Sequence, residues 1–316
     1  MPMASPHRPH GYIPDPAGTE RFVASLPTPT MSQAGPSLAY DPKRDVVLWP
    51  AIEAVSPGYS RAAQQIGSCT GHGYSMLIDA LSATQIAVHG AAEDWPGRSL
   101  EAAIYAFSRC EVRGRTNAGT ADGSSGSSCA KACLNYGTLH YNVRYDAETF
   151  TEYSGTREKI WGASGVPDSL EKFAKLNRVT TTTLVTTFGE FAAACQSGYA
   201  TAVCSMQGFT FKRDDAGFCG PGRTPWSHCL CLIGVRGGKR PGGLVINSWG
   251  ANSNSGPHYS GIPDAPDSMP TFFRGCTWWA DADVIDRMLS QQDSFSCSQY
   301  MGFPPRRLPS WTGGVL

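Results

Sequence analysis

The sequence predicts an α+β fold with two lobes, because helix-like and strand-like segments are segregated along the chain instead of alternating. Amphipathic segments dominate residues 68–198, and β-branched or alternating runs separated by Gly and Pro follow them. Of the 316 residues, 35 are Gly and 23 are Pro, which is typical of a loop-rich protein that contains β-structure. A chain of this length can bury an ample core as one large domain or two modest ones.

Two terminal segments differ in composition from the main domain, which we place at residues 45–290. Residues 1–44 are rich in Pro, Gly, Ser and His with little periodicity, so they predict an extended arm on the domain or on a partner. Residues 291–316, with GFPPRRLPSW, predict a second extended tail. Both arms are candidate contacts for protein partners. The run RDVVLWPAI at 45–53 predicts a short strand that leads into the domain.

Five helices are expected in the first half of the domain. The first begins at Cys69, with Ser68 as a possible N-cap and Gly90 as a plausible stop, and its apolar residues have helical spacing. The other four are expected at residues 99–113, 129–137, 166–177 (capped by Asp168 or Ser169) and 186–198. Strands are expected within 199–206, 228–237 and 243–250, and an aromatic strand and a short helix within 272–291.

Composition argues against several classes of function. With 26 basic and 26 acidic residues the net charge is zero, so there is no electrostatic footprint for nucleic acid or an anionic membrane. No run approaches the roughly 20 apolar residues that span a bilayer, and the N-terminus lacks the apolar core of a signal peptide. We therefore expect cytoplasmic synthesis with mostly free thiols, followed by release through lysis, a dedicated machine or incorporation into a virion.

Three short motifs carry candidate chemistry. The sequence GSC places Cys69 in the first turn of a predicted helix, where unpaired N–H groups and the helix dipole stabilise a thiolate. His228 opens the run HCLCLIGV, and Asn247 ends an apolar strand in GLVINSWG. Taken singly, Cys69 reads equally well as a buried cysteine, His228 is more often a core histidine, and Asn247 is commonly just a turn former. Together they supply a thiol, a base and an orienting group.

In this order, GSC, HCLCLIGV and NSWG resemble the papain-like cysteine peptidases over residues 45–290, and IGSCTGHGYS is closest to divergent bacterial and bacteriophage members. The resemblance implies a helical lobe, a β-barrel-like lobe and an active-site cleft between them. It implies Cys69 as nucleophile, His228 as base and Asn247 as the residue that orients the imidazole. Trp249 would shield the His–Asn hydrogen bond. The implied substrate is a peptide or protein, with no cofactor or metal ion.

The chain departs from the family pattern at the oxyanion glutamine, whose position six residues before the nucleophile is Ala63. Gln64 or Gln65 can replace it if the loop shifts by one or two residues, and Gln64 is favoured. Gly123 and Ser124, in the loop ADGSSG, lie where family members bind the substrate backbone. The alternative for these two residues is a plain flexible loop.

The remaining candidates have no certain role. His72 lies three residues after Cys69 on a similar helix face, where it either tunes the thiolate or is a surface or groove histidine without a role. Two close cysteine pairs lack an accompanying C-x-x-C motif, so no zinc site is expected there. These pairs are Cys129 with Cys133 and Cys229 with Cys231.

The leading hypothesis is a thiol hydrolase that cleaves peptide or amide bonds through an acyl-enzyme. One alternative keeps the triad but uses another acyl chemistry, as in a peptidoglycan-directed amidase or endopeptidase or a transglutaminase-like transferase. A second alternative is a weak or inactive structural component of a particle or complex. The alanine at position 63, in place of the family's glutamine, modestly favours this second alternative.

Overall fold

The computed structural model describes residues 9–89, 94–114 and 121–309, and its main element is an antiparallel sheet covered by helices. The helices are α1 (Pro16–Ala24), α2 (Met31–Ala34), α3 (Trp49–Val55), α4 (Cys69–His89), α5 (Glu101–Arg109), α6 (Gly126–Asn135), α7 (Gly155–Ser164), α8 (Asp168–Ala174, continued by a 3-10 turn over Lys175–Asn177), α9 (Phe188–Gln196), α10 (Thr271–Cys276) and α11 (Ala282–Leu289). The strands are β1 (Val46–Val47), β2 (Arg144–Tyr145), β3 (Glu148–Thr149), β4 (Thr181–Leu184), β5 (Thr201–Ser205), β6 (His228–Arg236), β7 (Gly242–Ile246), β8 (Thr277–Asp281) and β9 (Phe295–Ser298).

Seven strands form one sheet in the order β4-β9-β5-β6-β7-β8, and β1 pairs with β6 beyond the end of β5. All of these pairings are antiparallel. Among the described strands no pairing joins β4 to β8, so the sheet is open at both edges. The α+β class is confirmed, whereas the predicted β-barrel-like lobe is not confirmed.

Helix α4 packs against the sheet and is buried over its whole first part, from Cys69 to Gln85. Two glycines permit this close packing. A Cβ on Gly73 would lie 2.6 Å from the Sγ of Cys229 in β6, and one on Gly71 would lie 2.8 Å from the carbonyl oxygen of Glu101 in α5. The helix is thus fixed between the sheet and α5, which sets the position of its N-terminus. None of the described helices is long and apolar enough to cross a membrane.

A second group of buried apolar side chains lies among helices α5 to α8, apart from the core between α4 and the sheet. Its large members include Phe107, Leu139, Trp161 and Leu170. Helix α7, which contributes Trp161, was not expected from the sequence. The predicted helices over 99–113, 129–137 and 186–198 correspond to α5, α6 and α9.

The two terminal segments are less extended than predicted. Residues 1–44 contain α1 and α2 in their described part, and α1 begins where the Asp15 carboxylate accepts the Gly18 N–H at 3.0 Å. In the tail, β9 pairs with β4 and β5 inside the main sheet. Buried apolar residues such as Phe22 and Phe295 account for the difference, because they join the core although their neighbours are loop-like.

Smaller corrections concern element boundaries. The run at 45–53 is a strand only over β1, and the rest of it belongs to α3. Pro50 is compatible with this helix because it lies in the first turn, where a proline is well tolerated. Helix α8 has Pro167 at its N-cap instead of Asp168 or Ser169. The stop predicted at Gly90 lies outside the described residues.

Candidate active site

Cys69 is the first residue of α4, and its side chain is completely buried. Burial raises the pKa of the Cys69 thiol well above its usual value, and the nearby Cys229 thiol acts in the same direction. The backbone N–H groups of Cys229 and Gly11 oppose this by lowering the pKa. With burial dominant, Cys69 is a protonated thiol in this conformation.

His228 and Asn247 meet at one end of the sheet, because β6 begins at His228 and the antiparallel β7 ends one residue before Asn247. The Nε2–H of His228 donates to Oδ1 of Asn247 at 2.9 Å, and Oδ1 also accepts the Ser248 N–H at 2.8 Å. Nδ1 of His228 has no hydrogen-bond partner among the described residues. The asparagine therefore fixes the tautomer that leaves a lone pair on Nδ1.

Aromatic rings cover the His228–Asn247 pair. The Trp249 ring lies 4.5 Å from the His228 ring, and Trp226 lies 4.9 Å from Trp249. The ring of His10 contacts His228 edge-on at 5.6 Å. Burial lowers the pKa of His228 to about 3, while its hydrogen bond with Asn247 acts to raise it. The imidazole is therefore neutral at pH 7 in this conformation.

The segment formed by residues 9–13 of the N-terminal arm lies on this site as extended backbone. The Ser124 N–H donates to the carbonyl oxygen of Gly11 at 2.9 Å, and the Ile13 N–H donates to the carbonyl oxygen of Ser124 at 2.8 Å. On the other side, the Ser227 carbonyl oxygen accepts the Gly11 N–H at 3.2 Å. The site therefore holds a peptide backbone through main-chain hydrogen bonds from both flanks.

The close approach of the arm depends on glycines. A Cβ on Gly11 would lie only 1.8 Å from the carbonyl oxygen of Gly67, and a Cβ on Gly67 would lie 2.5 Å from the carbonyl oxygen of His10. Gly123 has φ +113°, and a Cβ there would lie 2.7 Å from the carbonyl oxygen of Gly11. A side chain at position 11 is thus incompatible with this arrangement. Gly123 and Ser124 both contact the arm, although their predicted contact with substrate stays a prediction.

Of the two candidate glutamines, Gln64 faces the arm. Its Nε2 donates to the carbonyl oxygens of Pro9 and Ile66, each at 3.0 Å, and its Oε1 accepts the hydroxyl of Ser248. The indole N–H of Trp249 donates to the same Pro9 oxygen at 3.1 Å. Gln64 is therefore held beside the NSWG motif with an amide N–H directed at a carbonyl oxygen in the cleft.

Gln65 points elsewhere. It is exposed, its N–H donates to the Tyr153 hydroxyl at 2.8 Å, and its side-chain oxygen lies beside Gly155. Ala63 is also exposed and lies next to Gly250. The geometry favours Gln64 over Gln65 as the donor to a reacting carbonyl.

Sequence reasoning missed two residues that support the site. Glu158 of α7 accepts the Ser68 hydroxyl at 2.8 Å, which fixes the residue before Cys69. Arg109 donates to the carbonyl oxygen of Gly123 at 2.7 Å and holds that loop in place. The available signal for Arg109 was an arginine at the end of the otherwise largely apolar helical segment AAIYAFSR. Nothing local marks Glu158, because α7 itself was not predicted.

His72 is not a surface residue, as it is only 1% exposed, and it lies in the wall of a cavity. Its Nε2 lies 3.2 Å from Oε1 of Glu158. All eleven cysteines fall within the described residues, and each is buried and free of disulfide bonds, Cys129, Cys133, Cys229 and Cys231 included. A role for His72 in tuning the Cys69 thiolate stays a prediction.

No family model matches this chain, and no curated protein is similar to it in sequence. Among solved structures, its fold is similar to that of xylellain, a cysteine protease from Xylella fastidiosa, with a TM-score of 0.52 and 15% identity over 95% of each chain. Procathepsin B S9 from Trypanosoma congolense has a TM-score of 0.48 and 11% identity, over 92% of this chain and 86% of that one. Digestive procathepsin L2 from Tenebrio molitor larval midgut has a TM-score of 0.48 and 14% identity, over 92% and 78%. The likeness to xylellain shows that this chain has the fold of a papain-like cysteine protease.

Proposed function

We propose that this protein is a thiol hydrolase that cleaves peptide or amide bonds with Cys69, His228 and Asn247. The observation that carries the proposal is the extended backbone of residues 9–13, which is hydrogen-bonded along the cleft beside Cys69. A cleft that binds main chain from both flanks suits a peptide substrate. The 2.9 Å bond between His228 and Asn247 supports the assignment of base and orienting residue.

In the proposed reaction the Cys69 sulfur, as thiolate, attacks the carbonyl carbon of the substrate. His228, having taken the thiol proton on Nδ1, gives it to the leaving amine, and a thioester remains on Cys69. His228 then takes a proton from water, the hydroxide attacks the thioester, and the acid product leaves as the thiol is restored. Asn247 keeps Nε2 engaged throughout, so Nδ1 is always the nitrogen that exchanges the proton.

The negative oxygen formed during each attack needs donors that are already in place. Gln64 is suited to this role, because its Nε2 donates to a carbonyl oxygen in the cleft at 3.0 Å. The backbone N–H of Cys69 is the second proposed donor. Aromatic cover by Trp249 keeps water from competing for the hydrogen bond of His228.

Exchanging the two candidate glutamines for alanine, one at a time, tests this assignment. Gln64→Ala is expected to lower kcat by about 10²- to 10³-fold, because one oxyanion donor is lost. Gln65→Ala is the matched control and is expected to leave kcat unchanged, since its side chain is exposed and directed away. Steady-state hydrolysis of a fluorogenic peptide measures both, with each substitution made in a chain whose arm is displaced by Gly11→Ala. An equal loss in the two variants would reject Gln64 as the donor.

The arm makes the resting enzyme latent in this proposal. It lies along the cleft, and the Gly11 N–H is directed at the Cys69 thiol. Activity would then require the arm to leave, and assays of substrate class need a chain whose arm is displaced. Mass spectrometry of products from casein and from purified peptidoglycan would separate a general peptidase from a cell-wall amidase or endopeptidase. If the chain with the displaced arm released nothing from either substrate, as its Cys69→Ala variant would, the hydrolase would be rejected.

A structural role is the second candidate, and the complete burial of Cys69 favours it. In that case the arm would be a permanent part of the fold and the thiol an inert core residue. A thiol-reactive activity probe distinguishes the two. Labelling of Cys69 that depends on His228 supports the enzyme, and labelling that is indifferent to His228 supports the structural role.

A further inference from the structure

A cluster of three ionisable side chains lies one helical turn beyond Cys69. His72 of α4, Glu101 of α5 and Glu158 of α7 each offer one ligand atom, and these atoms lie within 4.8 Å of one another. All three residues are at most 2% exposed. Three helices that are distant in sequence thus bring one imidazole nitrogen and two carboxylate oxygens together.

The hydrogen bonding of this cluster is incomplete. Within the described chain, both ring nitrogens of His72 lack a hydrogen-bond partner, and so does Oε1 of Glu158. His72 Nε2 and Glu158 Oε1 face each other at 3.2 Å, but without the geometry of a hydrogen bond. A buried imidazolium would donate from both nitrogens, and a neutral imidazole from one. A hydrogen-bonded histidine therefore does not account for the arrangement.

The buried carboxylates around the cluster have few cationic partners. Asp79 and Glu101 share the buried guanidinium of Arg61, whereas the Glu158 carboxylate faces the imidazole of His72. Arg61 pairs with Asp79 at 2.5 Å and with Glu101 at 2.9 Å. An uncompensated buried carboxylate is costly, so the cluster favours an added positive charge.

We propose that His72, Glu101 and Glu158 bind one divalent transition-metal ion such as zinc. For a tetrahedral ion the ligand atoms lie roughly 3.4 Å apart. His72 Nε2 and Glu158 Oε1 are 3.2 Å apart, and the full set, which lies within 4.8 Å, would contract around the ion. Glu101 accepts from Arg61 and from the Tyr141 hydroxyl, which leaves lone pairs on its carboxylate for a metal. The mixed nitrogen and oxygen donors suit zinc better than magnesium.

A cavity of about 360 Å³ gives the ion a route to this site. It is lined by His72, Glu101 and Tyr141, together with Arg98 and Tyr153. Three protein ligands leave at least one coordination position, which water entering from the cavity would fill. The ion would cross-link α4, α5 and α7, and it would steady Ser68 through the hydroxyl that donates to Glu158. This inference does not depend on the proposed hydrolase activity.

The experiment uses the full chain with Cys69→Ala, so that the Cys69 thiol cannot bind the ion. After treatment with EDTA and its removal, we expect zinc to bind with one ion per chain in competition with a chromophoric chelator, and to raise Tm. Cobalt is expected to give the d–d absorption of a low-coordinate site, and magnesium to have no effect. His72→Phe is expected to weaken zinc binding by about 100-fold or more.

His89→Phe is the matched control, because His89 ends the same helix, is exposed and lies outside the cluster. It is expected to retain the affinity for zinc. Glu158→Gln repeats the test if His72→Phe does not fold. Equal affinity in the parent and in the cluster variant would overturn the proposal. The proposal would also be overturned, without any cluster variant, if zinc left the Tm of the Cys69→Ala chain unchanged and its cobalt form showed no d–d absorption.

Discussion

Gly11→Ala is expected to raise the rate at which iodoacetamide alkylates Cys69 by about 10- to 100-fold. A Cβ at position 11 would lie 1.8 Å from the carbonyl oxygen of Gly67, so the arm cannot keep its place over the thiol. Overpacking of this kind costs about 1–3 kcal/mol, which favours the conformation with the arm displaced. Peptide mapping by mass spectrometry measures alkylation at Cys69 separately from that at the other ten cysteines.

Gly220→Ala is the matched control for this change. A Cβ on Gly220 would have no neighbour within 4 Å in the described structure, so the same substitution there leaves the arm undisturbed. Its alkylation rate should equal that of the unmodified chain. If Cys69 were alkylated at one rate in all three proteins, the arm would not be what covers the thiol.

His228→Ala, made in the Gly11→Ala chain, is expected to lower the rate of peptide hydrolysis by about 10²- to 10⁴-fold. His228 is the only proposed group that both activates the thiol and protonates the leaving amine, so its loss affects both halves of the reaction. The buried bond to Asn247 at 2.9 Å holds its ring in the required orientation. Initial rates on a fluorogenic peptide give the ratio directly.

His89→Ala in the same background controls for the loss of a histidine. His89 is exposed at the end of α4, so its loss should not alter hydrolysis. Urea unfolding of each variant establishes whether a loss of activity reflects a loss of fold. A folded His228→Ala protein with unchanged hydrolysis would exclude His228 as the base.

The sequence was sufficient for the helix at Cys69 and for the adjacency of His228 and Asn247. The helix follows from small residues before an apolar helical pattern, whereas the pairing of His228 with Asn247 was implied by the resemblance of HCLCLIGV and NSWG to the papain-like peptidases. In the structure, antiparallel pairing of β6 and β7 brings these two residues together.

The path of the N-terminal arm could not be predicted from the sequence. Its Pro- and Gly-rich composition predicted an extended segment, but not that residues 9–13 would occupy the cleft. That placement depends on Gly67 and Ser124, which are more than 50 residues away, and on how closely their backbones approach Gly11. Close packing between distant segments leaves no periodic signal in the sequence.

The cluster around His72 was hidden for the same reason. Spacing along α4 placed His72 near Cys69, but its burial depends on Glu101 and Glu158 from two other helices. Glu158 lies on α7, whose low amphipathicity left it unpredicted. The choice between Gln64 and Gln65 also required the structure, because adjacent residues of a loop point in directions that loop sequence alone does not fix.

The pH dependence of Cys69 alkylation in the Gly11→Ala chain tests the central claim, that His228 activates this thiol, most directly. Once the arm is displaced and the site is hydrated, a thiolate–imidazolium pair should make alkylation half-maximal below about pH 7.5. His228→Ala should move that midpoint up towards about 8.5, the value of an ordinary thiol. A midpoint at or above 8.5 in both proteins would contradict the account, because Cys69 would then be an unactivated cysteine.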